Sequence, residues 1–331
     1  MPAARFRTLP RRPRLSSPQA VAHLAAAGLL LAASGCREHS RQADRLICGG
    51  TISFIGPSGG GTRWDVIKAH ARQAVSVFET LRFEAALPPE AGPTGRATAF
   101  RQAVADGAVA VCVMTPDTRS DDALLKAAGE LGVPLVTVGA GPYRTPAFGH
   151  VEIAWADGAA DLGRRLTETL HDHRSYAVMH HADGPPVVAE CYNRFMQFAR
   201  RQRMLSLLAD ITVAREPGEA RAEVGRLFAK FPNLAVVVTL DENIWTPAAL
   251  EQLPPAARIV TLGASPELWP LLESGRANAL CGPVDAEVGQ AAMELAFAAL
   301  TESSRSGALR VIPCEIVTRD NLDDFVRRYD P

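Results

Sequence analysis

At 331 residues, 47% hydrophobic and 21% charged, the chain is long enough for two domains with real cores and has an ordinary globular composition. Its charge is unevenly spread: Arg5, Arg7, Arg11, Arg12 and Arg14 are the only charged residues among the first 35. Without those five the remainder holds 30 basic against 36 acidic residues, a net charge of −6, which excludes the basic footprint of a nucleic-acid binder.

The elements run as follows. Residues 20–33 are apolar apart from His23, a run too short to favour a membrane span, and Ala33-Ser34-Gly35 precedes Cys36. A basic start, a short apolar run and small residues make 1–35 a secretory signal. Cys36 after Ser-Gly resembles a bacterial lipobox, which implies lipidation of Cys36 and a lipid anchor to a bacterial membrane. Arg11-Arg12 raises twin-arginine export as an alternative to the general route. The polar residues 36–47 read as a tether.

Residues 51–55 alternate as a strand, Gly56-Pro57-Ser58-Gly59-Gly60-Gly61 forces a turn, and Ile67, Ala71, Ala74 and Phe78 stripe a helix. Strand 82–86, a helix through Phe100 and Val104, the buried strand AVAVCVM at 108–114, helix 121–131 and strand 134–138 continue the alternation. Residues 140–148, with Pro142 and Pro146, break it and mark a lobe boundary. The rhythm restarts with strand 150–153, a helix striped by Leu162, Leu166 and Leu170, strand 175–179 and a helix over 187–208. Then come strand 210–214, helix 220–231, strand 234–240, helix 247–253, strands 258–262 and 278–281, helix 285–300 and one last strand over 309–317. The fold class is α/β: two similar lobes with doubly wound parallel sheets and a ligand cleft between them.

The order of ISFIGPSGGGTRWDVI, AVAVCVMTPDTRSDDALLKAAGELGVPLVTVG, ECYNRFMQF, LAVVVTLDENIW, RIVTLGASPELWPLLESGRANAL, VDAEVGQAAMEL and IPCEIVTRDNL resembles the type I periplasmic binding proteins, the ribose- and galactose-binding group. The resemblance implies two lobes joined by three crossings. It divides the chain into 48–149 plus 284–307 and 150–283 plus 308–331, with 140–148 and 282–284 among the hinge segments. It implies an extracytoplasmic, monomeric solute-binding lipoprotein that closes on a small polar ligand, a sugar or sugar derivative, and delivers it to ABC permease subunits. A lipoprotein sensor signalling to a membrane receptor is the alternative. Lac-repressor relatives share the fold, but a signal stands here in place of their DNA-binding helix-turn-helix.

Ligand-binding candidates are Arg63, Trp64, Asp117, Trp155, Arg194, Asp241, Trp245 and Ser265. Trp64, Trp155, Trp245 and Trp269 all follow strands closely, where rings serve as platforms for sugar faces. By resemblance, Trp64 matches an aromatic ligand contact, Arg194 a donor to ligand oxygens and Asp241 the acid after strand 234–240. Four positions depart from the family pattern: Gly139 and Ala140 replace an acid and its polar neighbour, Leu240 an Asn, and Gly263 an Asp that grips hydroxyls. Such losses leave hydroxyls unpaired, at roughly 1–3 kcal/mol per buried group. They argue against a simple pentose or hexose, and Arg63, Arg144 and Arg194 favour a carboxylate or phosphate on the ligand.

No cofactor is implied. Cys48, Cys112, Cys191, Cys281 and Cys314 have no metal-ligand spacing, and an oxidising compartment would permit one disulfide, such as Cys281–Cys314. The histidines at 171, 173, 180 and 181 read as solvated or capping groups rather than a metal site. Gly56-Pro57-Ser58-Gly59-Gly60 fits GxSxG, a remote serine-hydrolase reading, but no His lies in the last 150 residues to follow the nucleophile. The chain therefore reads as a binding protein and not an enzyme.

Overall fold

The computed structural model describes residues 49–329 except 171–174, 182, 217 and 302–306. The signal, the tether, Cys36, Cys48, His171 and His173 lie outside the described residues. Among the described residues, no helix is long and apolar enough to cross a membrane.

In the first lobe β1 (Gly50–Ile55), β2 (Leu81–Ala86), β3 (Ala108–Asp117), β4 (Leu135–Ala140) and β5 (Gly149–Ile153) alternate with α1 (Thr62–Ser76), α2 (Pro93–Ala105) and α3 (Asp122–Leu131). After β5 the chain enters α4 (Trp155–Arg164), β6 (Ser175–His181), α5 (Pro186–Ala199), β7 (Ser206–Val213), α6 (Glu219–Lys230), β8 (Val236–Thr239), β9 (Arg258–Leu262) and β10 (Ala277–Gly282). It ends in α7 (Asp285–Thr301), β11 (Ala308–Ile312), β12 (Glu315–Val317) and α8 (Leu322–Val326). One sheet has the order β11-β5-β4-β3-β1-β2, all parallel; the other runs β12-β10-β9-β8-β6-β7, antiparallel only at β12.

Pairing places the lobe crossings differently from the sequence expectation. Strand β5, expected in the second lobe, pairs with β4 through Val136↔Gly149 and Thr137↔His150. Residues 141–148 are therefore a connection inside the first lobe, not a hinge. The first crossing falls at Ala154. The single last strand expected over 309–317 is two strands divided at Pro313, which has no N–H to continue a ladder. The first half, β11, pairs with β5 in the first sheet, and β12 pairs with β10 in the second. The second and third crossings thus lie at 283–284 and 313–314, and Ala154 N donates to Ile312 O at 3.0 Å, tying the first to the third. The helix expected over 187–208 stops at Ala199, and β7 begins at Ser206.

The central strands are buried on both faces, as the unbroken apolar run in β3 requires. Helix α7 returns to the first lobe and buries Val288, Ala292, Met293 and Leu295 there, against α1. The helices touch closely at Gly289, where a Cβ would stand 2.3 Å from the Ile67 carbonyl oxygen. Gly289→Ala is expected to lower the unfolding free energy by about 1–3 kcal/mol, read from urea titration, because the two backbones must part.

Candidate functional site

The carboxyl ends of the strands in both sheets open onto a cleft of about 760 Å³. The first lobe lines it with the Gly56–Gly60 turn, Arg63, Trp64, the loop around Pro88–Pro93, Arg96, Met114 and Pro116. The second supplies Trp155, Gly184, Val187, Val188, Cys191, Arg215, Asp241, Glu242, Asn243 and Gly263.

Arg63, in the first turn of α1, binds both the hinge and the far wall. Its Nε and Nη2 donate to the fully buried Asp285, at 2.9 Å to Oδ2 and 2.7 Å to Oδ1, and its Nη1 donates to Glu242 at 3.2 Å. The guanidinium lies 5.0 Å from the Trp155 ring centre. Asp285 also accepts from the Tyr329 hydroxyl at 3.1 Å. Burial opposes the Arg63 charge, but Asp285 and Glu242 outweigh it and hold the guanidinium ionised.

Glu242 is the residue that sequence reasoning missed. Its Oε2 accepts from Ser265 N at 2.9 Å, and its side chain fills the space above Gly263, where a Cβ would come within 2.3 Å of the Glu242 Cβ. Gly263 has φ +123, a conformation that favours glycine. A carboxylate from the loop after β8 thus lies above the position where the resemblance expected an Asp after β9. The unexpected Gly263 was the only signal of it. Burial pushes the Glu242 carboxyl up, partly offset by Arg63 and the Ser265 N–H.

Further contacts join the lobes. Thr62 donates to Glu267, and Arg119 pairs with Glu190 at 3.0 Å. Asp117 accepts from Arg119 and, across the cleft, from Val187 N at 2.9 Å. The other cleft arginines are also paired: Arg96 with Asp121 at 2.6 Å, and Arg215 with Asp241 at 3.2 Å. Asp241 accepts from Asn243 N and Nδ2 as well.

The periplasmic binding protein domain family matches residues 52–304. The chain belongs to that family. No curated protein sequence matches it. Solved structures share the fold at low identity. An ABC transporter solute-binding protein from Bacillus halodurans C-125, with bound myo-inositol, matches at TM-score 0.70 and 15% identity, covering 85% of this chain and 99% of its own. One from Burkholderia graminis C4D1M, in complex with D-arabinose, matches at 0.69 and 11%, covering 83% and 97%. A putative LacI transcriptional regulator from Bacteroides fragilis matches at 0.69 and 13%, covering 83% and 99%.

Against this binding-protein fold the sequence candidates divide. Arg63, Trp64, Trp155 and Asp241 line the cleft. Asp117 is fully buried and closes the lobes on each other through Val187. Arg194 is exposed on α5 and pairs with Asp157, away from the cleft lining. Trp245 is in the second lobe's core, its Nε1 donating to Thr239 Oγ1 at 2.8 Å. Ser265 acts through its N–H on Glu242. The tryptophans are committed elsewhere: Trp64 packs edge-on to Phe54, Arg63 covers a face of Trp155, and Trp269 packs against Tyr329. A ring that follows a strand can turn into the core as readily as toward the cleft, which sequence position does not encode. Arg144 binds Asp122 and the Thr118 carbonyl. Cys281 and Cys314 are buried free thiols, not a disulfide, and burial pushes Cys281 up to about 12. Among the described residues no group of His, Cys, Asp or Glu is arranged to hold a metal. His70, His150, His180 and His181 each bond elsewhere, and none partners Ser58.

Three outcomes are expected. Arg63→Ala leaves Asp285 buried with its main counter-charge gone and is expected to cost about 3–5 kcal/mol of stability in denaturant titration. Glu190→Ala, at an exposed pair, is expected to cost under about 1 kcal/mol. Burial alone would raise the Asp117 carboxyl, but Arg119 and the Val187 N–H outweigh it and hold it below the ordinary range. The unfolded chain therefore binds this proton more readily than the native one. Stability from Asp117 is complete above the ordinary aspartate pKa and is lost as pH falls through the lower native value. Asp117→Asn should flatten that acid limb in melting temperature measured against pH.

Proposed function

We propose that this chain is the extracytoplasmic solute-binding component of an ABC importer and closes its two lobes on a neutral, polyhydroxylated ligand of the sugar or cyclitol class. The observation that carries the reading is the pairing of the cleft's cations: Arg63, Arg96 and Arg215 each sit within 3.2 Å of a carboxylate. A wall of alternating donors and acceptors with no spare positive charge suits hydroxyls, each of which can donate to a carboxylate while accepting from an N–H. It does not suit a carboxylate or phosphate. Of the three arginines expected to receive such a group, Arg63 is already paired with Asp285 and Glu242, and Arg144 and Arg194 are absent from the cleft lining. Family membership and the myo-inositol- and arabinose-bound neighbours support the same ligand class.

The basic start, the short apolar run and Ala33-Ser34-Gly35-Cys36 support export and anchoring through a lipid on Cys36. Closure by hinge motion about the three crossings would then present the loaded form to permease subunits.

Native mass spectrometry of residues 37–331 as purified, followed by refolding, should reveal a small neutral adduct that refolding removes. Thermal-shift titration should show stabilisation by neutral sugars or inositols and little by sugar acids or sugar phosphates. Stabilisation by the acids alone would overturn the reading. Asp241→Ala should weaken ligand binding roughly 10- to 100-fold, the effect of losing a hydrogen bond to a charged group worth ~1.5–3 kcal/mol.

A further inference from the structure

The two walls of the cleft differ in chemistry. The second lobe holds its charged and amide groups together at Arg215, Asp241, Glu242 and Asn243, beside Val187, Val188 and Cys191. The first lobe presents Pro57, Pro88, Ala91, Pro93, Met114 and Pro116, from the loops after β1 and β2, the start of α2 and the end of β3, together with Ser58, Thr115 and Ser120. Those strands are neighbours in the sheet order β3-β1-β2, so their carboxyl ends bring these residues side by side. Leu87 extends this wall: its side chain is 47% exposed, and its Cδ1 would stand 3.8 Å from a Cβ at Gly60 in the neighbouring loop. Ala91, Pro93 and Pro116 are exposed as well. The one cation in this wall beyond Arg63, Arg96, is buried and held by Asp121.

Four prolines withhold N–H donors along this surface, and the side chains of Leu87 and Ala91 between them offer neither donor nor acceptor. A ligand hydroxyl laid on the prolines, Leu87 or Ala91 would lose water and gain no side-chain partner, whereas an apolar group there would lose nothing. The cleft volume of about 760 Å³ is in the upper half of the ~300–1,000 Å³ range of sites for drug-sized ligands, well beyond what one pyranose ring fills.

We propose that the ligand is a neutral glycoside rather than a free sugar: a polyol bearing an apolar aryl or alkyl group, the polyol held by Asp241, Asn243 and Arg215 and the apolar group laid on the first-lobe proline surface. This rests on the neutral-polyol reading above and narrows it. It also accounts for the departure at Gly139, which leaves that point of the first-lobe lining without a polar side chain.

The test compares matched probes by isothermal titration on residues 37–331: free aldopentoses, free aldohexoses and myo-inositol against the methyl and 4-nitrophenyl glycosides of the same sugars. The 4-nitrophenyl form of at least one sugar is expected to bind tenfold or more tighter than the free sugar, with a more negative heat-capacity change from the added apolar burial. Ala91→Asp, at an exposed position, is expected to shrink that ratio. Equal or weaker binding of every aryl glycoside beside a free sugar that does bind would overturn the inference and leave the polyol reading standing. Failure of all probes, free and substituted, would overturn both. A tighter aryl glycoside whose advantage survives Ala91→Asp would refute the placement on the proline surface.

Discussion

Arg63 is the contact on which the closed arrangement depends. A guanidinium from the first lobe is held by a buried carboxylate at the second crossing, by Glu242 of the second lobe and by the ring of Trp155 just past the first crossing. Each partner belongs to a different part of the chain, so one side chain fixes the relative placement of both lobes and two of the three crossings. The C-terminal segment joins the same network. The Tyr329 hydroxyl reaches Asp285 and the Pro283 carbonyl, and the Tyr329 carbonyl bonds to His70 on α1, the helix that carries Arg63. Desolvating this cluster is tolerable because Arg63 faces both carboxylates and each carboxylate accepts a further hydrogen bond, Asp285 from Tyr329 and Glu242 from the Ser265 N–H.

The same pairing governs what the cleft can recognise. An arginine whose charge is already met by carboxylates cannot neutralise an incoming anion without displacing them. It can still offer a remaining N–H beside a carboxylate oxygen, which is what a hydroxyl needs. Arg63, which looks like an anion receptor in the sequence, thus becomes part of a hydrogen-bonding wall whose cations are all paired.

The architecture was legible in the sequence because alternating apolar runs and helical stripes are local signals. AVAVCVM could only be a strand buried on both faces, and Gly56–Gly61 could only be a turn. The lobe crossings were not legible. Whether β5 stays with β4 or leaves depends on which strand it pairs with, and the proline-rich 141–148 connection looks the same in either case. The candidate site divided along the same line. Arg63, Trp64, Trp155 and Asp241 reach the cleft because the backbone at a strand's end points them there. Arg194 lies along a helix with its surface left open, and Trp245 turns inward to satisfy its N–H on Thr239. Glu242 escaped notice because its role comes from a cavity above Gly263, two loops distant in sequence.

The return of α7 to the first lobe bears on the order in which the chain can fold. The helix covers β3, β4 and β5 with the apolar face that completes that core, and it is not available until residue 301 has been made. The first sheet gains its last strand only with Ile312, and the second gains its own only with Val317. Neither lobe can therefore finish folding on the ribosome ahead of the other. Both lobes stay incompletely packed until residues 308–317 have been made, so the two cores are completed together rather than in turn.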